Sequence, residues 1–435
     1  MNVLAAAAKV DTGDTAWMLV ATALVLMMTP ALGLFYAGLV RAKNTLNTFM
    51  MCVGALGVVA LVWAVVGYSL AFDGGGSILG GLGHAFMQGV GFVPRDGTTI
   101  PQLVFFAFEA TFCIITAALI AGAVVERMRY GTFLVFMAIW SIAVYAVLAH
   151  WVWGGGWLAD NGVLDFAGGV PVEMASGFSA FAAALAVGPR KDYGRAALLP
   201  HNAVYVLLGA GLLWFGWFGF NGGSGLNVGQ NGVLAFTNTL LAPAATLVVW
   251  MLLDLRRGGH VTAIGAATAI VVGCVAITPA GGYVSPMWAM VLGGLAAVPS
   301  YLVIAYRPRT RLDETLDVLA AHGLAGLTGI VFIGLVAQVG WNGISDGLLY
   351  GDAGQFAWQL VAALVAPAYA FGMTFGLLKL LGALMPLRVS ETEESLGLDI
   401  QQHGEEAYSS AEGAILVTPE ADELPLVAGV AVAET

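Results

Sequence analysis

A stretch of about twenty apolar residues recurs eleven times between residues 15 and 386, and no other feature limits the fold of this chain so tightly. The runs fall at approximately 15–39, 45–72, 102–125, 131–153, 168–188, 200–220, 231–253, 262–280, 284–306, 316–340 and 356–385. Each is about the length a helix needs to cross a ~30 Å hydrocarbon layer. They are too long and unbroken for the short alternating strands of an outer-membrane barrel, so the spanning elements are helices. Only 10% of the 435 residues are charged, against roughly 25% in a soluble domain. The predicted fold class is an all-α polytopic membrane protein with eleven transmembrane helices embedded in a lipid bilayer.

The basic residues alternate with these runs. Arg41 and Lys43, Arg127 and Arg129, Arg190, Lys191 and Arg195, Arg256 and Arg257, and Arg307, Arg309 and Arg311 follow the odd-numbered spans, and Lys379 and Arg388 close the last. Of the 16 basic residues only Lys9 and Arg95 fall on the other side. By the positive-inside rule the N-terminus lies outside and the C-terminus in the cytoplasm. The expected division is an extracellular segment 1–14, a transmembrane domain 15–386 and a cytoplasmic tail 387–435. The first dozen residues lack the pattern of a cleavable signal peptide, which fits a multi-pass protein of a prokaryotic inner membrane.

Several function classes drop out. A net charge of −11, partly from the tail, offers nothing to nucleic acid. Cys52, Cys113 and Cys274 lie inside spans as packing residues, with no metal-ligand spacing. No cofactor fingerprint or nucleophile elbow points to an enzyme. The 59 glycines suit a helical bundle with closely approaching backbones. The tail is expected to be ordered to about Tyr408 and then to run into a loose acidic end.

Within this apolar background Glu173 stands about two turns into span five. A charge at mid-bilayer costs roughly 3 kcal/mol, so it faces a cavity or a partner. His322 occupies the same place in span ten: Glu173 lies eight residues after Asp165, and His322 eight residues after Glu314. Five spans separate the two segments, which would make spans 1–5 and 6–10 an inverted repeat with span eleven outside it. A lone intramembrane Glu or His often only bridges helices, but the equal offsets favour a functional pair near the pseudo-two-fold axis. Glu109, in the outer third of span three, suits a structural role and a vestibule role equally.

Two aromatic stretches, His150-Trp-Val-Trp153-Gly-Gly-Gly-Trp157 and Trp214-Phe-Gly-Trp217-Phe-Gly-Phe220-Asn221-Gly-Gly-Ser224, end spans four and six. Interfacial anchoring explains Trp alone. Rings beside a hydroxyl and several glycines also suit a small cation, held by cation–π attraction and one accepted hydrogen bond.

These stretches resemble the ammonium transporter (Amt/Mep) family. So do Pro30-Ala-Leu-Gly-Leu-Phe-Tyr36, Asp165-Phe-Ala-Gly-Gly169, Thr278-Pro-Ala-Gly-Gly-Tyr283, Asp317-Val-Leu-Ala-Ala-His322-Gly and Gly397-Leu-Asp-Ile-Gln-Gln-His-Gly-Glu-Glu-Ala-Tyr408. The resemblance implies an outer NH4+ site at Trp153, Ser224 and Phe112, a gate of Phe112 and Phe220 below it, and Asp165 nearby as a capping and electrostatic residue. His322 matches the second of the family's two pore histidines. Glu173 stands where the first would be, a departure that resembles the pore of some fungal members, and Glu109 stands where many relatives have glutamine. The resemblance further implies homotrimers with one pore per subunit and a regulatory tail serving a PII-type partner. The expected function is ammonium transport, with NH4+ deprotonated outside, NH3 crossing an apolar pore, and the proton relayed by Glu173 and His322. Passive NH3 conduction of Rhesus type and ammonium sensing are the other readings. Trp153 speaks against the first, and the lack of a signalling domain after residue 408 against the second.

Overall fold

The computed structural model describes residues 9–408, so the acidic end beyond Tyr408 lies outside the described residues. Among the described residues, ten helices are long and apolar enough to cross a membrane, by length and composition. They are α1 (Thr12–Leu39), α2 (Ala42–Phe72), α3 (Gln102–Val124), α4 (Tyr130–Asp160), α5 (Gly169–Val187), α6 (Ala203–Gly223) and α7 (Gln230–Gly258), then α9 (Pro286–Arg309), α10 (Leu319–Val336) and α11 (Ala353–Leu384). The run expected at 262–280 is a shorter apolar helix, α8 (Ala263–Ile277). It stops early because Thr278 to Tyr283, with Pro279 at its second position, forms a turn. Residues 12–14, expected in the N-terminal segment, already belong to α1. Among the described residues the only strand-like pairings are two isolated bridges, Pro94 with Pro101 and Met128 with Arg388.

Local sequence sets the helix ends. Asp11, Asn202, Thr262, Ser285 and Asp352 each accept a hydrogen bond from a first-turn amide of α1, α6, α8, α9 and α11. Such a cap supplies one of the donors that a helix start leaves unpaired. At the other end of α7, Gly259 adopts the left-handed conformation that closes a helix at little cost.

Helices α5 and α10 are built alike. Each opens with a π-helical turn, Gly169–Met174 and Leu319–Leu324, and each start is capped by a carboxylate. Asp165 accepts from the amides of Gly168, Gly169 and Val170, and Glu314 from those of Val318 and Leu319. The two helices cross at Gly177 and Gly323. A Cβ on Gly177 would collide with the backbone of Gly323, so this close approach requires glycine.

The basic loops share one face and are bound together below the bundle. Arg190 pairs with Asp313 at 2.8 Å and with Glu126 at 2.5 Å, and Glu126 also accepts from Arg41 and Asn44. Burial raises the pKa of both carboxyls. The guanidinium of Arg190, with Arg41 for Glu126 and Arg127 for Asp313, outweighs it and holds both below the usual range. Arg127 is fully buried and donates to Thr315 and to the carbonyls of Gly188, Ala123 and Asp313. The tail docks here as two short helices, α12 (Glu391–Leu396) and α13 (Leu398–His403). Asp399 accepts from the amides of Leu46 and Asn47, and Glu394 from that of Lys191 and from Arg388.

Candidate functional site

Two cavities enter the bundle from opposite faces. The one opposite the basic loops has a volume of about 440 Å3 and is lined by Trp153, Asp165, Phe166, Ser224 and Tyr283, among others. The other, about 410 Å3, opens among Arg190, Tyr193, Arg307 and Asp317 and reaches inward to His322. Between them lies a lumen of about 20 Å3, walled by Leu32, Ile115, Leu119, Val172, Leu213 and Trp217 and including Phe220, Glu173 and His322. That volume admits one or two water-sized molecules and no hydration shell.

The first cavity gathers the aromatic and hydroxyl residues singled out in the sequence. The Trp153 indole donates to the carbonyl of Asp165 at 2.9 Å, which fixes the ring at the cavity wall. Ser224 donates its hydroxyl proton to the carbonyl of Phe220 at 2.9 Å, which leaves its lone pairs for a donor in the cavity. Below them Phe112 and Phe220 stack with centroids 4.0 Å apart, and Phe112 meets Trp153 edge-on at 6.2 Å. Both phenyls are about 1% exposed, so they form a closed plug.

The π-helical turns of α5 and α10 bring Glu173 and His322 together, with His322 Nδ1 2.7 Å from Glu173 Oε2. With the proton on Nδ1, the imidazole donates to the carboxylate. Gly326 makes room for this: a Cβ there would stand 2.5 Å from Glu173 Cβ. The second carboxylate oxygen, Oε1, is buried without a protein partner. His322 borders both the lumen and the larger cavity. The pair therefore stands at the boundary between the constricted lumen and the larger cavity.

Asp165 belongs to the frame of this site. It borders the first cavity, but both oxygens are engaged by backbone amides. Glu109 does not line that cavity; it is 7% exposed, packed in α3. Sequence reasoning assigned no role to Phe166, Tyr283 or Trp217. Phe166 and Tyr283 pack edge-on at 5.2 Å beside the first cavity, and Trp217 walls the lumen while its indole donates to Thr278. Their motifs were visible, but their meeting depends on the turn after α8, which no local pattern specifies.

Fold and site together define a membrane transport protein: a helical bundle with opposed vestibules and a constricted passage between them. The comparisons make this specific. The sequence model of the Ammonium Transporter Family matches residues 16–408. An ammonium transporter of Bacillus subtilis is 43% identical over 402 residues, which cover 92% of this chain and 99% of that one. The crystal structure of Candida albicans Mep2 superposes with a TM-score of 0.83 at 34% identity, covering 88% of each chain. A structure titled Sensor Amt Protein superposes with a TM-score of 0.83 at 27% identity, covering 90% of this chain and 98% of that one. This chain belongs to the ammonium transporter family, a family of transporters rather than enzymes.

Proposed function

We propose that the protein carries ammonium across the membrane by splitting it into ammonia and a proton. NH4+ is recruited between Trp153, Phe112 and Ser224, by cation–π attraction and a hydrogen bond to the serine oxygen. It gives up a proton above the Phe112–Phe220 plug, and NH3 follows the lumen. A bare cation there would face a Born cost of order 20 kcal/mol, and K+ has no proton to release. The proton passes through Glu173 and His322, which a hydrogen bond joins. Asp165 contributes by fixing the start of α5 and by its field. In this reading the first cavity is extracellular, the N-terminus is outside and the basic face with its docked tail is cytoplasmic. The inner membrane, a homotrimer with one pore per subunit and a PII-type partner at the tail complete it.

The observation that carries the reading is the Glu173–His322 hydrogen bond, set where a lumen too small for a hydrated ion meets a cavity of about 410 Å3. The test is current in proteoliposomes on addition of NH4+ or K+ across pH, for the wild type and Glu173→Gln. Ammonium current without K+ current is expected, and the substitution should reduce it or shift its pH profile. Wild-type currents at every pH in Glu173→Gln would remove this carboxyl from the relay. The apolar lumen also supports a second reading, passive NH3 conduction, which predicts no current at all. The likeness to the sensor structure raises a third, sensing, which the same experiment opposes if turnover is sustained.

A further inference from the structure

The first cavity is also lined by polar side chains that the mechanism above leaves unused. Gln230 and Asn231, in the first turn of α7, border it together with Tyr283 and Ser224. Both amides are held by their nitrogens: Gln230 Nε2 donates to the carbonyl of Trp341 at 3.1 Å, and Asn231 Nδ2 to that of Asn342 at 3.2 Å. A carbonyl oxygen can only accept, so these bonds fix which end of each amide is oxygen. Gln230 Oε1 and Asn231 Oδ1 are left as acceptors with no partner among the described residues, and Asn231 Oδ1 is open to solvent. The Tyr283 hydroxyl is likewise unbonded among the described residues and open rather than shielded. The loop that holds the amides is itself braced. Asn342 is 3% exposed, its Nδ2 donates to the carbonyls of Tyr283 and Ser345 at 3.3 and 2.8 Å, and its Oδ1 accepts from the amides of Ile344 and Ser345. One buried residue thus ties the backbone of Tyr283 to the carbonyl that holds Asn231. With the Ser224 proton spent on Phe220, Ser224, Gln230 and Asn231 offer acceptors alone, and Tyr283 can serve as another.

We propose that Gln230, Asn231 and Tyr283 form a cation-loading subsite of the first cavity, whose oxygens take the place of water around NH4+ as it settles against Trp153. This rests on the reading above that NH4+ enters through this cavity. An ammonium ion carries four N–H donors, while Trp153 and Phe112 offer it ring faces and Ser224 one hydroxyl oxygen. Its other donors would lose their water uncompensated beside the phenyl plug, which is costly for a charged group. In a cavity of about 440 Å3 the three further oxygens reach the ion directly or across one water. The first turn of α7 carries the positive end of the helix dipole, which opposes a cation. The Asp14 carboxylate, which accepts from the Val228 amide at 2.9 Å, stands beside that turn and offsets its field. Because the loading oxygens are neutral, they hold the ion without an ion pair that would have to break on the way inward.

The test measures half-saturation and maximal ammonium-evoked current in proteoliposomes, and ammonium binding to the solubilised protein by calorimetry. The proteins are the wild type, Tyr283→Phe, the double variant Gln230→Ala/Asn231→Ala, and Gln230→Glu. Tyr283→Phe removes an oxygen that bonds to no described residue, so it deletes a ligand and no structural hydrogen bond. Half-saturation is expected to rise about threefold in Tyr283→Phe and about tenfold in the double variant, as for hydrogen bonds lost to a charged ligand, with maximal current retained. Gln230→Glu places a charge at the exposed rim and should lower half-saturation, most of all at low ionic strength. Wild-type half-saturation in both Tyr283→Phe and the double variant overturns the subsite, and so does a fall in maximal current at unchanged half-saturation. If the double variant fails to fold, Tyr283→Phe decides. A wild type that conducts NH3 without current overturns the splitting reading, and binding then decides the subsite by itself: weaker ammonium binding in the variants upholds it and equal binding overturns it. A wild type that binds no ammonium overturns both.

Discussion

Replacing Asp165 by Asn separates a framing role from a ligand role. In the structure Oδ1 accepts from Gly168 and Gly169 at 2.9 and 2.7 Å, and Oδ2 accepts from Val170 at 2.7 Å. Asn keeps one acceptor oxygen and turns an NH2 group toward the remaining backbone donor. An unsatisfied buried donor costs about 1–3 kcal/mol, and the surviving bonds each weaken by about 1 kcal/mol on losing the charge. Relief from burying a charge offsets part of this, so the net loss should be about 2–4 kcal/mol. Asp165→Ala leaves all three donors unpaired and should cost more. The start of α5 also sets Glu173 eight residues on, so transport should fall through turnover rather than half-saturation. Thermal unfolding in detergent and uptake by reconstituted vesicles measure the two effects. An Asp165→Asn protein within about 0.5 kcal/mol of the wild type but with weakened half-saturation would refute the argument. Asp165 would then be a direct cation ligand.

Arg190→Met takes from buried Asp313 its ion-pair partner and leaves Glu126 with Arg41 and Asn44 alone, and removing one partner of such a cluster costs about 3–5 kcal/mol. A lowered unfolding temperature is expected, and an unchanged one refutes the role of the cluster. Because the folded-state pKa values of Glu126 and Asp313 are depressed, their stabilisation is present above the unfolded values of about 4 and is lost as pH falls through the folded ones. Unfolding temperature should therefore drop below about pH 4 in the wild type and less so in Arg190→Met, which has already lost the Arg190 pairs and keeps only that of Arg41 with Glu126. Equal acid sensitivity of the two proteins would count against it. Gly326→Ala brings a methyl group against Glu173 and should separate it from His322, so ammonium current should fall with the fold retained; normal current would show that the pair tolerates displacement.

The apolar runs carry the helices because crossing a membrane imposes one length and one composition on every segment, and ten of the expected runs became helices of that kind. The equal offsets from Asp165 to Glu173 and from Glu314 to His322 carried further. Both carboxylates cap a helix start, both helices open with a π-helical turn, and the side chains eight residues on meet at 2.7 Å. What the offsets do not contain is the crossing that makes the meeting: Gly177 and Gly323 are two among 59 glycines, and only the packed helices single them out. The same holds below the bundle. Arg190 counted in the sequence as one more basic loop residue, yet it joins Glu126 and Asp313 from two other loops in a buried cluster. Asn44 then connects that cluster to the tail by donating to Glu126 and accepting from the amide of Leu398. Contacts of this kind lie 64 to 354 residues apart along the chain, where neither period nor composition reports on them. One polar side chain, Asn44, therefore ties the docked tail to the loops that surround the mouth of the His322 cavity, so a change in the tail's seating has a direct structural route to that mouth.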